Sequence, residues 1–295
     1  MAADAFTAGA PNPVPESPPA RRAFDARPAV LVTGASKGIG EACALRLARD
    51  GFRVYAGVRR DEDGSALIRQ GGDGIAPVLL DVTDSAQIAA VARQIDDETN
   101  ERGLQALVNN AGIALAGPLE FLPIDELRRQ VEINFIGQMA VTQAMLPLLR
   151  RCRASRQADH RAGRIVMMSS VSGRSALPFV GPYAASKFAL EAATDSLRVE
   201  LMPFGITVSI VEPGVISTPI WDTSARAGEA NLARMPAEAT EYYGEALDAM
   251  RRRAARGITG LPPEKVADVV AHALMSRKPR IRYVVGRDAR MRILM

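Results

Sequence analysis

Cysteine is nearly absent from this 295-residue chain: Cys43 and Cys152 stand alone and far apart. Two such residues exclude a disulfide framework and any cysteine-based metal site, and both read as reduced thiols. Histidine is equally scarce. His160 lies in an arginine-rich stretch and His272 in the helical pattern "KVADVVAHALM", neither with a clustered partner, so no zinc site is expected. No apolar run reaches the ~18 residues that a membrane-spanning helix requires. The opening "MAADAFTAGAPNPVPESPPARRAF" lacks the apolar core of a secretory signal, which makes the cytoplasm the expected compartment. Its Ala, Pro and Ser content predicts a disordered leader over residues 1–27.

What is present is ordinary for a soluble globular protein: 47% apolar and 24% charged residues. The formal charge of +4 is unevenly placed, in "RRCRASRQADHRAGR" and in the tail "RKPRIRYVVGRDARMR". These runs read as solvated faces, with contact between the basic C-terminus and an acidic membrane surface as the alternative. No aromatic-rich nucleic-acid motif accompanies them, so nucleic acid is not an expected partner.

From residue 29 onward, short apolar runs alternate with helical stretches. "AVLVTG", "RVYAGV", "PVLLDV", "ALVNNAG", "RIVMMSS", "ITVSIVEPG" and "RYVVG" read as strands. One long helix is predicted over 125–151 and another over 183–202. Continuous β-branched strands alternating with helices imply a doubly wound α/β fold of the Rossmann type. The expectation is a single parallel sheet of about seven strands with helices on both faces. Residues 28–295 form one expected domain, and 217–262 interrupts the rhythm as an expected lid over the site.

Three motifs carry chemistry. "VTGASKGIG" follows the first strand and opens the first helix. Its glycines, Gly34, Gly38 and Gly40, let the backbone approach a pyrophosphate whose charge the helix N-terminus stabilises. The same stretch matches a serine-hydrolase elbow through Gly34, Ser36 and Gly38, but no earlier loop offers an oxyanion donor and neither histidine suits the base. Near the end of the second strand, NAD sites commonly place an acid that grips the ribose 2′-hydroxyl. Here Val58 is followed by Arg59 and Arg60, and Lys37 sits in the glycine turn. Arginine hydrogen-bonds a 2′-phosphate that an acid would repel, so NADP(H) is favoured, with NAD(H) as the alternative. Lastly, "PYAASKFAL" sets Tyr183 and Lys187 on one helix face, as a catalytic pair or as an aromatic ring and a solvated charge that share it.

In chain order, "TGASKGIG", "LDVTD", "NNAG", the Asn of "EINFIG", "SS", "YAASK" and "EPGVIST" together resemble the short-chain dehydrogenase/reductase family over roughly residues 29–220. "VYAGVRR" and the ending "RYVVGRDARMRILM" are similar to its hydroxysteroid and retinol dehydrogenase branch. The resemblance implies an oxidoreductase interconverting an alcohol and a ketone or aldehyde, with Asn134, Ser170, Tyr183 and Lys187 at the catalytic positions. Ser170 is chosen over Ser169 because it stands thirteen residues before Tyr183. Tyr183 would be the general acid or base, with its pKa lowered by Lys187 and the cofactor's charge. Ser170 would hold the substrate oxygen, and Asn134 would position a water that relays protons to Lys187.

Cofactor contacts implied in the same way are Ser36, Lys37, Ile39 and the glycines of the turn, Asp81 and Val82 at the adenine, and Asn109 to Gly112, Ala111 included. Pro213, Gly214, Ile216 and Thr218 would face the nicotinamide, and Tyr183 and Lys187 would reach the cofactor as well. Leu177, Phe179, Ile220 and Trp221, with Val180, Met235, Tyr242 and Tyr243, suit a bulky hydrophobic substrate. A homodimer or homotetramer is implied by resemblance. A non-catalytic NADP-binding sensor or scaffold is the rival class, opposed by all four catalytic positions being filled.

Overall fold

A computed structural model describes residues 25–154, 163–255 and 260–294. Most of the expected leader, and the centre of the basic 151–163 stretch with His160, lie outside the described residues.

Seven strands are built from the apolar runs: β1 (Ala29–Val32), β2 (Arg53–Val58), β3 (Ile75–Leu79), β4 (Ala106–Asn109), β5 (Arg164–Met168), β6 (Thr207–Pro213) and β7 (Arg282–Val285). They form one sheet in the order β3-β2-β1-β4-β5-β6-β7, and every neighbouring pair is parallel. Alternate residues along each strand feed two separate cores, as the period of two requires. Val30, Val32, Val54 and Val166 pack against α1 (Gly38–Arg49), α2 (Asp61–Gly71) and α9 (Pro263–Met275). Leu31, Tyr55, Leu107 and Ile165 pack against α3 (Ser85–Thr99), α5 (Gly137–Ala154) and α6 (Gly181–Glu200). With both faces covered, the strands have no solvated side, which explains their near-continuous apolar runs. The order reverses between β1 and β4, so a crevice opens beyond their carboxyl ends.

The single helix expected at 125–151 is interrupted. α4 (Ile124–Val131) passes into a π-helical stretch, Glu132–Ile136, and only then into α5. Right-handed dihedrals continue through Val131, Glu132 and Gly137, so the chain widens by a turn and does not break. Such bulges re-aim a side chain, and this one carries Asn134. α7 (Ile220–Leu232) and α8 (Ala237–Ala255) fill the irregular region after β6, and α10 (Arg287–Leu294) closes the described chain. Neither α2 nor α10 was evident in the apolar pattern. No helix of the described residues is long and apolar enough to cross a membrane.

The glycine turn locks β1 to β4. Gly34 and Gly38 have φ of 64° and 62°, a region costly for any residue with a Cβ. A Cβ at Gly40 would overlap the Gly34 carbonyl oxygen and lie 2.5 Å from Asn110 Nδ2. Gly228 on α7 is the opposite case, with its nearest neighbour 3.7 Å away. Gly40→Ala is therefore expected to lower the unfolding free energy by ~2–3 kcal/mol. Gly228→Ala should raise it by ~0.5–1 kcal/mol, and urea melts of both variants check the contrast.

Candidate active site

The strand ends open onto a cleft of about 1680 Å³, solvent mouth included. Its walls are the glycine turn, the ends of β2 to β6 and the start of α7. Gly34, Ser36, Lys37, Gly38, Ile39 and Gly40 form one wall, with Arg59, Asp81 and Val82 beside them. Ala111, Gly112, Ser170, Tyr183 and Lys187 lie across from them, and Pro213, Gly214, Ile216, Thr218, Ile220 and Trp221 close the third side. Most of the residues expected in the site are thus gathered by the fold.

At the glycine end, Thr33 connects the two strand ends. Its hydroxyl accepts the Asn110 and Ala111 N–H groups, each at 2.9 Å, while Asn110 Nδ2 donates to the Thr33 and Gly34 carbonyls. Lys37, the cap of α1, makes no side-chain capping bond, so the first-turn N–H groups of α1 are left to what enters the cleft. An uncapped twelve-residue helix facing a cleft with Lys37 and Arg59 on its rim fits an anionic dinucleotide. Burial acts to raise the Asp81 pKa, but hydrogen bonds from the Thr83 N–H and hydroxyl, with the Arg59 charge, hold it below the usual range.

At the other end, the β5–α6 region supplies the polar groups. Ser170 is extended and accepts the Ser172 N–H at 3.1 Å, which aims its hydroxyl at Tyr183. Ser169 stands beside Glu191 instead. Lys187 is buried, donates from Nζ to the Met168 carbonyl at 2.8 Å and stands 5.7 Å from the centre of the Tyr183 ring. Burial pulls its ammonium down to about 8, against the opposing charge of Glu191.

Several expectations need correction. Tyr183 is not lowered in the protein alone: burial raises its pKa, and the Ser170 hydrogen bond opposes the rise only in part. The Lys187 ammonium, 5.7 Å from the ring centre, does not reverse that rise. Asn109 turns inward, donating to Thr142 Oγ1 and Met167 Sδ, and its neighbour Asn110 takes the cleft position. Arg60 pairs with Asp63 at 3.1 Å and does not line the cleft. Asn134 has a committed side chain: it accepts the Ile113 N–H and donates to the Ile113 carbonyl and Ser186 Oγ, so its amide anchors the wall and is not aimed at Lys187.

Leu177 and Phe179 also stand outside the cleft lining. Leu177 is exposed, and Phe179 (φ 65°) packs edge-on against Tyr243 at 6.0 Å. Tyr242 and Tyr243 both meet Phe121, and the Tyr243 hydroxyl donates to Glu120 at 2.7 Å, so α8 seals the 117–122 loop. Among the described residues no histidine lines the cleft near Ser36: His272 partners the Tyr283 hydroxyl at 3.1 Å. The buried thiols of Cys43 and Cys152 are pushed up to about 12 and about 11 by desolvation, which leaves them unreactive.

The basic tail holds the site together. Asp288 on α10 accepts the Val215 N–H at 2.7 Å, and Arg292 donates to the carbonyl of Ser175. One short helix thereby braces the loops after β5 and after β6. Nothing in the apolar pattern marks Asp288 or Arg292, because their partners are main-chain groups of distant loops.

The sequence pattern described as short chain dehydrogenase matches residues 28–228. Retinol dehydrogenase 5 of Mus musculus is 39% identical over 285 residues, covering 94% of this chain and 84% of that protein. The NADPH-dependent 3-dehydrocapnine reductase of Ornithobacterium rhinotracheale is 37% identical, covering 87% of each chain. A short-chain dehydrogenase from Streptomyces avermitilis superimposes with a TM-score of 0.73 at 28% identity, covering 92% of each chain. One from Burkholderia cenocepacia, solved in complex with NADP, does so at 0.67 and 26%, covering 90% of each.

The buried ammonium predicts a pH signature in stability. Lys187 titrates near 10.5 when unfolded and near 8 in the fold, so the unfolded chain holds the extra proton between those values. Raising the pH across that window favours the native state. Relative to Lys187→Met, the parent chain should gain ~1–2 kcal/mol between pH 7.5 and 9.5, measured by urea melts at both values.

Proposed function

This chain belongs to the short-chain dehydrogenase family, and from that membership we propose an NADP(H)-dependent interconversion of a hydrophobic alcohol and its ketone or aldehyde, with Tyr183 as general acid and base. As a family member it is an NAD(P)-dependent oxidoreductase acting on CH–OH groups. One observation carries the finer reading: the Tyr183 phenol, the Ser170 hydroxyl and the Lys187 ammonium converge on one side of the cleft, across from the uncapped start of α1.

A nicotinamide held by Pro213, Gly214, Ile216 and Thr218 would supply the hydride in reduction and accept it in oxidation. Ser170 orients the substrate oxygen by a hydrogen bond. Tyr183, protonated at neutral pH because burial raises its pKa, donates to that oxygen in reduction. In oxidation the phenol must give up its proton, and the Lys187 charge beside the ring favours the phenolate. Asn134 holds the wall at Ile113 by two hydrogen bonds and donates a third to Ser186, and a proton-relaying water would then fall to its main chain.

NADP(H) over NAD(H) is supported by Lys37 and Arg59 on the rim and by the absence of an acid after Val58. The adenine end would rest on Asp81 and Val82. The substrate side is apolar, with Ile113, Leu115, Ile220, Trp221 and Ala227 on the walls, which suits a bulky lipidic substrate such as those that the retinol-dehydrogenase name suggests. Residues 28–295 act as one domain in this reading, with α7 and α8 as a lid. Exposed Ile136 and Phe188 support pairing into a homodimer or homotetramer through α5 and α6, and the cytoplasm remains the proposed compartment.

The test is turnover of hydrophobic ketones and alcohols with NADPH and NADH. Tyr183→Phe should lose ~10²–10⁴-fold in kcat/KM, and a variant as active as the parent on every substrate refutes the mechanism. Arg59→Ala should raise KM for NADPH about tenfold and leave that for NADH nearly unchanged. A parent enzyme that prefers NADH overturns the cofactor assignment.

A further inference from the structure

Behind Lys187 lies a charge cluster that the proposed chemistry does not use. Tyr183, Lys187, Glu191 and Asp195 follow one another at intervals of four along one face of α6. The Glu191 carboxylate is nearly as buried as the lysine and meets Arg282 of β7 at 3.3 Å. Arg282 also binds Asp195 at 2.7 Å and the fully buried Glu212 of β6 at 3.2 Å. Arg174 reaches Glu212 from the outside at 3.6 Å, and Arg198 stands 3.9 Å from Asp195. Ser169 stands beside Glu191, and neither Ser169 Oγ nor Glu191 Oε1 has a hydrogen-bond partner among the described residues. Glu191 is therefore faced by Lys187 and Asp195 on its own helix, Ser169 after β5, Glu212 on β6 and Arg282 on β7.

We propose that Glu191 is a positioning residue: with Arg282 holding its carboxylate, it keeps Lys187 protonated and sets the upper pH limit of the site. The lysine loses water on every side and gains one neutral carbonyl, Met168, as acceptor. A carboxylate one helical turn away is the element that offsets this desolvation. Burial first, and then the like charge of Glu212, raise the Glu191 carboxyl above its ordinary range, and Arg282 is the cation that opposes that rise. The claim about the site's pH limit rests on the reading of Lys187 under the proposed function. The claim about its protonation does not.

Two readouts separate them. The chain has only four lysines, Lys37, Lys187, Lys265 and Lys278, and all but Lys187 are exposed. Protein labelled with ¹³C at the lysine ε carbon therefore gives few signals, and loss of one in Lys187→Met assigns it. In Glu191→Gln the Lys187 midpoint should fall by about half a pH unit or more, and Glu191→Asp should return it toward the parent value. Glu191→Ala, open to a water molecule, gives the same reading if the glutamine variant does not fold. An unmoved midpoint overturns the proposal whatever the activity. The alkaline limb of the kcat/KM profile with NADPH should fall in step. A midpoint that falls while the limb stays fixed overturns the claim that Glu191 sets the pH limit.

Discussion

A lysine ammonium held out of water against the last carbonyl of β5 is the contact on which this site depends. The 2.8 Å bond from Lys187 to Met168 fixes where α6 sits against the sheet edge. Everything that matters for proton transfer is then set by helical spacing. Tyr183 falls one turn earlier and looks into the cleft, and Glu191 falls one turn later and looks into the charge cluster. A buried cation is costly, and the lowered pKa of Lys187 records that cost. The fold meets it with local charge instead of water.

The parallel sheet does the rest. Because every strand runs the same way, all the carboxyl ends meet at one edge, and the six successive strand ends from β1 to β6 supply the cleft from a rigid base. Thr33 and Asn110 tie the first loop to the fourth strand, Asn134 pins the Ile113 turn, and α10 braces the last two loops. By contrast, the wall formed by α7 is attached by few polar contacts, chief among them Trp221 Nε1 donating to the Ile216 carbonyl at 2.8 Å. A rigid cofactor side and a looser substrate side let one scaffold serve many substrates.

The architecture could be read from the chain because buried parallel strands leave continuous β-branched runs, and no other local arrangement explains seven of them between helices. The glycine turn was legible for a related reason, since backbone geometry dictates its spacing, whereas the Tyr183–Lys187 pair took its meaning from the whole set of motifs, a four-residue spacing being common on helices. What escaped depended on distant partners. Asn109 and Asn110 are adjacent and identical in type, so only the fold could say which faces the cleft. Arg60 was claimed by Asp63, three residues on. The π stretch at 132–136 leaves no mark in apolar periodicity. The direction of the Tyr183 shift followed burial, which a motif does not reveal. Asp288 and Arg292 read as part of a basic surface until the structure joined them to the two cleft loops.

The central claim is that this cleft passes a hydride to a carbonyl carbon while Tyr183 supplies the proton. NADPH deuterated at the nicotinamide C4, incubated with a hydrophobic ketone, tests it directly by mass spectrometry of the product. The account predicts one deuterium on the carbinol carbon with the parent enzyme, and almost none with Tyr183→Phe at saturating NADPH. Equal deuterium transfer by the two proteins, or bound NADPH that delivers none to any such ketone, would contradict it.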